Sequence, residues 1–249
     1  MGNKLRTGQT RRQNEAFTSD LVVACCHVAE GLWDEMGTEE EREKLEELMA
    51  FMLLEFGAAL RGEEVPLVSL VGMLAFSEEC ITNEHPHIMV TLKGRFKGEA
   101  GHRWHCVPVS VANRSGIPFK LWIARLLHRR VVIQNRTTGP LFISFTGRLC
   151  RIRDMDPHLI ELLDRVRDAY PKIISKSIET SDFSLWRSGR HGATTEAMNR
   201  NIDGDTMDLV GRWRKRESAR GTEPGLPMRQ VYTQVRHVTN RMLIYSSAL

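Results

Sequence analysis

The chain has 249 residues, 41% of them hydrophobic and 27% charged, with a net charge of +4. This is ordinary for a folded protein with one large core or two modest ones. No apolar run reaches the roughly 18 residues of a membrane helix, and no signal-peptide core opens the sequence, so membrane insertion and secretion are not indicated. Five cysteines, Cys25, Cys26, Cys80, Cys106 and Cys150, are an odd number without framework spacing, which suggests free thiols in a reducing compartment. The expectation is an intracellular protein, in the nucleus of a eukaryote or otherwise in cytoplasm or nucleoid.

Residues 1–16 are polar and basic and are expected to form a disordered arm or linker remnant, with one domain over 17–249. Phe17 to Met36 is expected as a helix capped by Thr18 or Ser19. Thr38-Glu39-Glu40-Glu41 reads as a capping box. Leu45, Leu48, Met49, Met52, Leu53 and Phe56 then recur at helical spacing, an apolar stripe that belongs to a core. Val65 to Leu74, Ile88 to Leu92 and Trp104 to Val109 read as three short strands, the last two joined by the glycine-rich, basic loop from Lys93 to Gly101. Helices are expected over Pro118 to Arg129, Pro157 to Tyr170, Thr194 to Asn201, Thr206 to Trp213 and Met228 to Ser246, with breaks at Gly139-Pro140 and Gly221 to Pro227. The fold class is therefore α+β, mostly helical with a small antiparallel sheet.

Total charge is too mild to argue for nucleic acid, but its distribution is uneven. Basic residues crowd into Lys93 to Lys97, His128 to Arg130, Arg148 to Arg153, Arg187 to His191 and Arg212 to Arg216, while acids concentrate in Glu39 to Glu47. A basic face opposite an acidic one would attract a phosphate backbone. Several of these runs are equally compatible with solvated loops.

Arg187-Ser188-Gly189-Arg190-His191 places two arginines one helical turn apart, each a planar fork able to grip two phosphate oxygens. Gly211-Arg212-Trp213 follows, and then Tyr232, whose hydroxyl near a bound phosphate is a possible nucleophile. Upstream, Phe56-Gly57-Ala58-Ala59-Leu60-Arg61-Gly62-Glu63-Glu64-Val65 completes the order. These runs resemble the boxes of the tyrosine recombinase, or phage integrase-like, family: Thr-Gly-Leu-Arg-x-x-Glu, then a hairpin lysine, then His-x-x-Arg, then Gly-Gly-Trp or Gly-His, then tyrosine. The resemblance runs from about Leu45 to the C-terminus.

What the resemblance implies is a tyrosine recombinase-like catalytic domain of the DNA breaking-rejoining fold. It would cleave and rejoin double-stranded DNA through a 3′-phosphotyrosyl intermediate, without a cofactor or metal, as a tetramer on DNA. Tyr232 would be the nucleophile. Arg61, Arg187 and Arg190 would hold the phosphate oxygens, and Lys97 would protonate the departing 5′ oxygen. Trp213 would pack beside the phosphate. Glu64 would orient Arg61, and His191 would assist. Lys93, Arg95, Arg212, Arg214 and Lys215 would contact DNA. Arg61 beside Glu63 and Glu64 is otherwise read as a structural ion pair, Lys93 competes with Lys97, and Tyr245 is the other C-terminal tyrosine.

The sequence departs from the family pattern in two places. Arg187 stands where histidine is usual, so a neutral imidazole to accept the tyrosine proton is missing. The stretch between Trp213 and Tyr232 is about twice the usual length. A DNA-clamping domain usually precedes the catalytic one, so the chain reads as a fragment or a stand-alone catalytic domain. The alternative function is a recombinase-derived DNA-binding protein that has lost cleavage. His85, His87, His102, His105 and Cys106 include zinc-ligand types, but on a strand they scatter over both faces, and Cys25-Cys26-His27 reads as helix core.

Overall fold

Thr18 opens the first helix by accepting from the Leu21 N–H at 3.1 Å, and α1 runs Ser19–Glu35. The computed structural model describes residues 15–75, 86–94, 103–143, 147–211 and 243–249. The capping box closes as its sequence predicts: Glu41 N–H donates to Thr38 Oγ1 at 3.2 Å, and Thr38 N–H to Glu41 Oε2 at 3.2 Å. From it α2 runs Glu39–Gly57 and is buried on nearly every side from Leu45 onward. A helix buried around its whole circumference belongs at the centre of a core. Accordingly α2 packs against α1, α4 (Phe119–His128), α5 (Ile152–Ala169) and α6 (Ser188–Asn199). Burying side chains such as Phe51, Met52, Leu53 and Phe56, all 0% exposed, contributes about 1.5–3 kcal/mol each.

The sheet has two antiparallel strands, β1 (His87–Gly94) and β2 (Arg103–Ser110), registered with Val90 opposite Val107. The third expected strand is not one. Val65–Leu67 is a 3₁₀ turn with Pro66 in its first positions, and Leu70–Ala75 is the short helix α3. A short apolar run has no periodicity that separates a buried strand from a buried helix. Strand character survives at Val68 and Ser69, which bridge Leu92 and Pro140, with the Ser69 N–H donating to the Thr91 carbonyl at 2.8 Å.

Two other helices begin earlier than expected. α5 starts at Ile152, with Pro157 sixth in line and forfeiting its bond to the preceding turn. α6 starts at Ser188, so Arg190 and His191 are helical. Two glycines of this helix serve close approach: a Cβ on Gly192 would lie 1.8 Å from the Phe17 carbonyl oxygen, and one on Gly189 would lie 2.7 Å from the Glu55 carboxyl. Helix α7 covers Gly204–Gly211, residues 243–248 are helical, and Thr180–Asp182 is a further 3₁₀ turn. α7 thus holds most of the helix expected over Thr206 to Trp213, while most of the one expected over Met228 to Ser246 lies outside the described residues.

The acidic run of α2 is solvated only over Glu39, Glu40 and Glu41. Glu43, Glu46 and Glu47 are buried, and the basic run at the end of α4 answers them. Arg129, in the π-turn Arg129–Ile133, donates to Glu46 Oε1 at 3.0 Å and Glu39 Oε2 at 2.8 Å. Arg130, 0% exposed, pairs with Glu43 and Glu47 and donates from Nε to the Leu141 carbonyl at 2.9 Å. Both arginines of this run are thus spent on α2 carboxylates and are not offered to an outside anion. His27, expected with Cys25 and Cys26 in the core, is exposed, while both thiols are buried. Burial pushes the Cys25 thiol up to about 12.

Candidate functional site

Where α2 ends, Ala58 turns the chain and Ala59 takes a left-handed φ of 47°. Leu60 N–H donates back to the Glu55 carbonyl at 3.0 Å, and Glu64 N–H to the Arg61 carbonyl at 2.7 Å. The resulting tight turn presents Arg61 and folds Glu64 underneath it. Glu64, 3% exposed, accepts from the Arg61 backbone N–H at 2.8 Å and from Arg61 Nη1 at 3.2 Å. Arg190 comes from the first turn of α6, 6% exposed. Its Nη1 donates to the Ala59 carbonyl at 3.0 Å and lies 3.8 Å from Glu64 Oε2. Arg61 and Arg190, far apart in sequence, thus share one carboxylate. The Arg61 side chain keeps 29% of its surface exposed, so one guanidinium faces solvent while the other is locked behind it.

The start of α6 is held from several directions. Asp156 accepts from the Leu185 N–H at 2.9 Å and from Ser184 Oγ at 2.8 Å, which fixes the turn before the helix. Gly62 lets the Arg61 turn press against that turn, since a Cβ there would lie 2.1 Å from the Leu185 carbonyl oxygen. Phe17 N–H donates to the Ser188 carbonyl at 3.0 Å, and Glu196 caps the start of α1 through Ser19 Oγ at 2.8 Å. Arg187 occupies the N-cap of α6 and is exposed, as is His191 one turn on.

Sequence reasoning missed Glu55. It is 0% exposed, on α2, directly beneath Gly189. Burial pushes its carboxyl well above the ordinary carboxylate range; the backbone N–H groups of Arg190 and Gly189 and the Arg190 charge pull the other way, and Asp156 adds to the rise. Neither oxygen has a hydrogen bond of good geometry among the described residues, so the two N–H groups favour the charge without fully satisfying it. A signal was available: one glutamate inside the apolar run Phe51 to Phe56 is a polar group at a core position, which marks functional or strained sites.

Lys93 is exposed on β1, with Nζ 5.2 Å over the ring of Trp104. Lys97, Trp213, Tyr232, Arg95, Arg212, Arg214 and Lys215 lie outside the described residues, as do His85, His102 and Cys80. Tyr245 is 2% exposed, and its hydroxyl has no hydrogen-bond partner among the described residues. Burial pushes its pKa up, and the Arg190 charge opposes that rise. Among the described residues no group of three or more His, Cys, Asp or Glu gathers around a metal-sized space, and no helix is long and apolar enough to cross a membrane.

No family model matches the chain, and no curated protein matches it. Two solved structures are similar in the path of the chain. One is a fragment of the Tn1549 transposon integrase in complex with circular intermediate DNA, 13% identical, with a TM-score of 0.44 over 85% of this chain and 61% of that one. The other is a tyrosine-to-phenylalanine variant of that fragment in complex with transposon right end DNA, 12% identical, with a TM-score of 0.43 over 94% of this chain and 68% of that one. The chain thus spans 61% of the first fragment's length. Likeness at this level assigns neither residues nor activity.

Proposed function

We propose that this chain breaks and rejoins DNA as a tyrosine recombinase. In this reading Arg61 and Arg190 neutralise the non-bridging oxygens of one scissile phosphate. The hydroxyl oxygen of Tyr232 attacks phosphorus and gives its proton to water, since no imidazole stands at position 187, forming a 3′-phosphotyrosyl bond. The bond to the 5′ oxygen breaks, and that oxygen takes a proton from Lys97. The phosphodiester energy is kept in the protein–DNA bond, so attack by another 5′ hydroxyl rejoins the strand. Trp213 shields the phosphate, and Glu64 positions Arg61. Four copies on two DNA duplexes would complete an exchange, in a nucleus or nucleoid.

The observation that carries the reading is the sharing of Glu64 by Arg61 and Arg190, at 3.2 and 3.8 Å. Guanidinium groups repel one another, and a buried carboxylate between them lowers the cost of keeping two positive charges ready for an anion. The second reading, a DNA-binding descendant without cleavage, is favoured by Arg187 at the family's histidine position, exposed at the N-cap of α6. Incubation of the full chain with a nicked suicide duplex, followed by denaturing electrophoresis, decides between them. A protein–DNA adduct that disappears in Tyr232→Phe supports cleavage; binding with no adduct supports the second reading.

A further inference from the structure

The turn that carries Arg61 borders a groove for which the chemistry above has no use. It consists of two hollows of about 500 and 340 Å3 that share Pro66, Leu67 and Leu149 as a floor. Each falls within the roughly 300–1,000 Å3 of small-ligand sites. Trp186 lines one end and Trp104 the other, 46% and 51% exposed. Trp186 directly precedes Arg187, and its backbone N–H donates to Ser184 Oγ at 3.2 Å in the turn that Asp156 fixes. Both indoles stand on held backbone and still face solvent. Large exposed apolar surface of this kind marks a binding face.

The charge of the groove selects the occupant. Lys93 sits beside Trp104, while Arg151 and Arg153 are exposed at the Trp186 end. Glu63 is the exposed acid of the lining, since Asp156 is engaged with Ser184 and Leu185. Arg153 also reaches Asp154 at 3.5 Å across solvent, but Lys93 and Arg151 with it leave the lining net basic against Glu63, which favours a polyanion. An indole face stacks on any nucleobase but gains nothing from an intact duplex, whose base faces are covered by their neighbours.

We propose that this groove takes a nucleic-acid strand with unpaired bases, one stacked on Trp104 and another on Trp186, its phosphates facing Lys93, Arg151 and Arg153. The proposal rests on the reading that Arg61 and Arg190 hold a phosphate, because the same strand then runs past Arg61. The site would hold the DNA next to that phosphate in an unstacked state.

The test measures binding of the full chain to three labelled DNAs by fluorescence anisotropy: an oligothymidylate, a matched duplex, and the same duplex with a mismatched bubble. Trp104→Leu and Trp186→Leu, which keep the groove apolar, should each weaken the oligothymidylate and the bubble by about 5- to 150-fold, the range of one base–aromatic stack. The matched duplex should change by less than about twofold, because phosphate contacts dominate its affinity. Trp104→Phe and Trp186→Phe should retain most of the binding. Lys93→Gln, which leaves both indoles in place, should weaken all three DNAs and lower the salt slope by about one. Equal loss for matched and bubbled duplex in the leucine variants, no loss at all, or displacement of the oligothymidylate by an acidic apolar peptide at equal affinity would overturn the proposal. Covalent attachment is scored separately. A chain that forms no adduct but keeps the tryptophan-dependent preference loses the cleavage reading and keeps the groove.

Discussion

Arg190 donates from Nη1 to the carbonyl oxygen of Ala59 at 3.0 Å, so one arginine of the pair is fastened to the turn that presents the other. Any shift of that turn therefore moves both guanidinium groups together.

The turn itself is strained at a single residue. Ala59 holds φ at 47°, where a Cβ costs about 1–2 kcal/mol. Ala58 beside it has φ of −98° and carries no such cost. Both are buried. Replacement by glycine loses a buried methyl and adds unfolded-state entropy at either position, but only at 59 is strain relieved. Ala59→Gly should therefore be at least about 1 kcal/mol less destabilising than Ala58→Gly in urea unfolding. Equal losses would mean that the turn relaxes around its side chain.

Two buried carboxyls give the stability a pH dependence. Glu47 is pushed up to about 7 by burial, against the pull of Arg130, and Glu55 is raised well above its usual value by burial. For an acid whose folded pKa exceeds its unfolded one, the folded state binds more protons between the two values. The stability these groups confer is thus fully present below the unfolded carboxylate range and is lost as pH rises through the folded values. Unfolding free energy should fall between about pH 5 and pH 8, and Glu55→Gln should flatten part of that slope. A slope unchanged in this variant would show that Glu55 is already ionised at the low end of the range, held by the N–H groups of Gly189 and Arg190.

Much of the fold was legible where local chemistry decides it. The Thr38–Glu41 capping box, an N-cap at Thr18 or Ser19 and the antiparallel β1–β2 pair follow from short-range rules, and the structure contains all three, with Thr18 as the cap. What could not be read depends on partners distant in sequence. Glu43, Glu46 and Glu47 look like a solvated face until Arg129 and Arg130 come back over them. The start of α6 at Ser188 rather than Thr194 depends on Glu55 and Phe17 pressing against Gly189 and Gly192. Of the candidate residues, the order of boxes pointed to Arg61, Glu64 and Arg190, which the fold brings side by side, while Glu55, buried beneath Gly189, carried no motif.

That close contact makes Gly192 a sensitive position. A methyl group there would sit 1.8 Å from the Phe17 carbonyl oxygen, which is backbone and cannot rotate away. Although alanine is the better helix former by about 1 kcal/mol, Gly192→Ala should destabilise by about 2 kcal/mol or more through the forced separation of α6 from Phe17. Calorimetry reads the shift directly. A rise in melting temperature would show that the start of α1 is free to move off α6.

The two arginines of α6 should respond differently to substitution. Arg190 is buried against Glu64 and Ala59, and losing one donor to developing transition-state charge typically costs about 100- to 1,000-fold. Arg187 is exposed at the helix N-cap, so Arg187→His should leave the fold intact while placing an imidazole where the family pattern has one. The expected outcome is a severe loss of single-turnover cleavage for Arg190→Ala and an unchanged or faster rate for Arg187→His, both at equal DNA occupancy. A comparable loss in both variants would make Arg187 an indispensable phosphate clamp.

The two C-terminal tyrosines can be separated by stability as well as by chemistry. Tyr245 is 2% exposed, its hydroxyl lacks a hydrogen-bond partner among the described residues, and burial raises its pKa. Each property makes it a poor nucleophile, because attack requires an accessible oxygen that loses its proton. An unpaired buried hydroxyl also costs about 1–3 kcal/mol of desolvation. Tyr245→Phe keeps the ring and removes that cost, so it should raise the unfolding free energy by up to about 1 kcal/mol and leave covalent DNA attachment unchanged. Tyr232→Phe should abolish attachment and leave affinity nearly unaltered, since phosphate contacts carry most of the binding. Loss of the adduct in Tyr245→Phe with its persistence in Tyr232→Phe would transfer the nucleophile to the buried residue. It would also require the 243–248 helix to leave the core before cleavage.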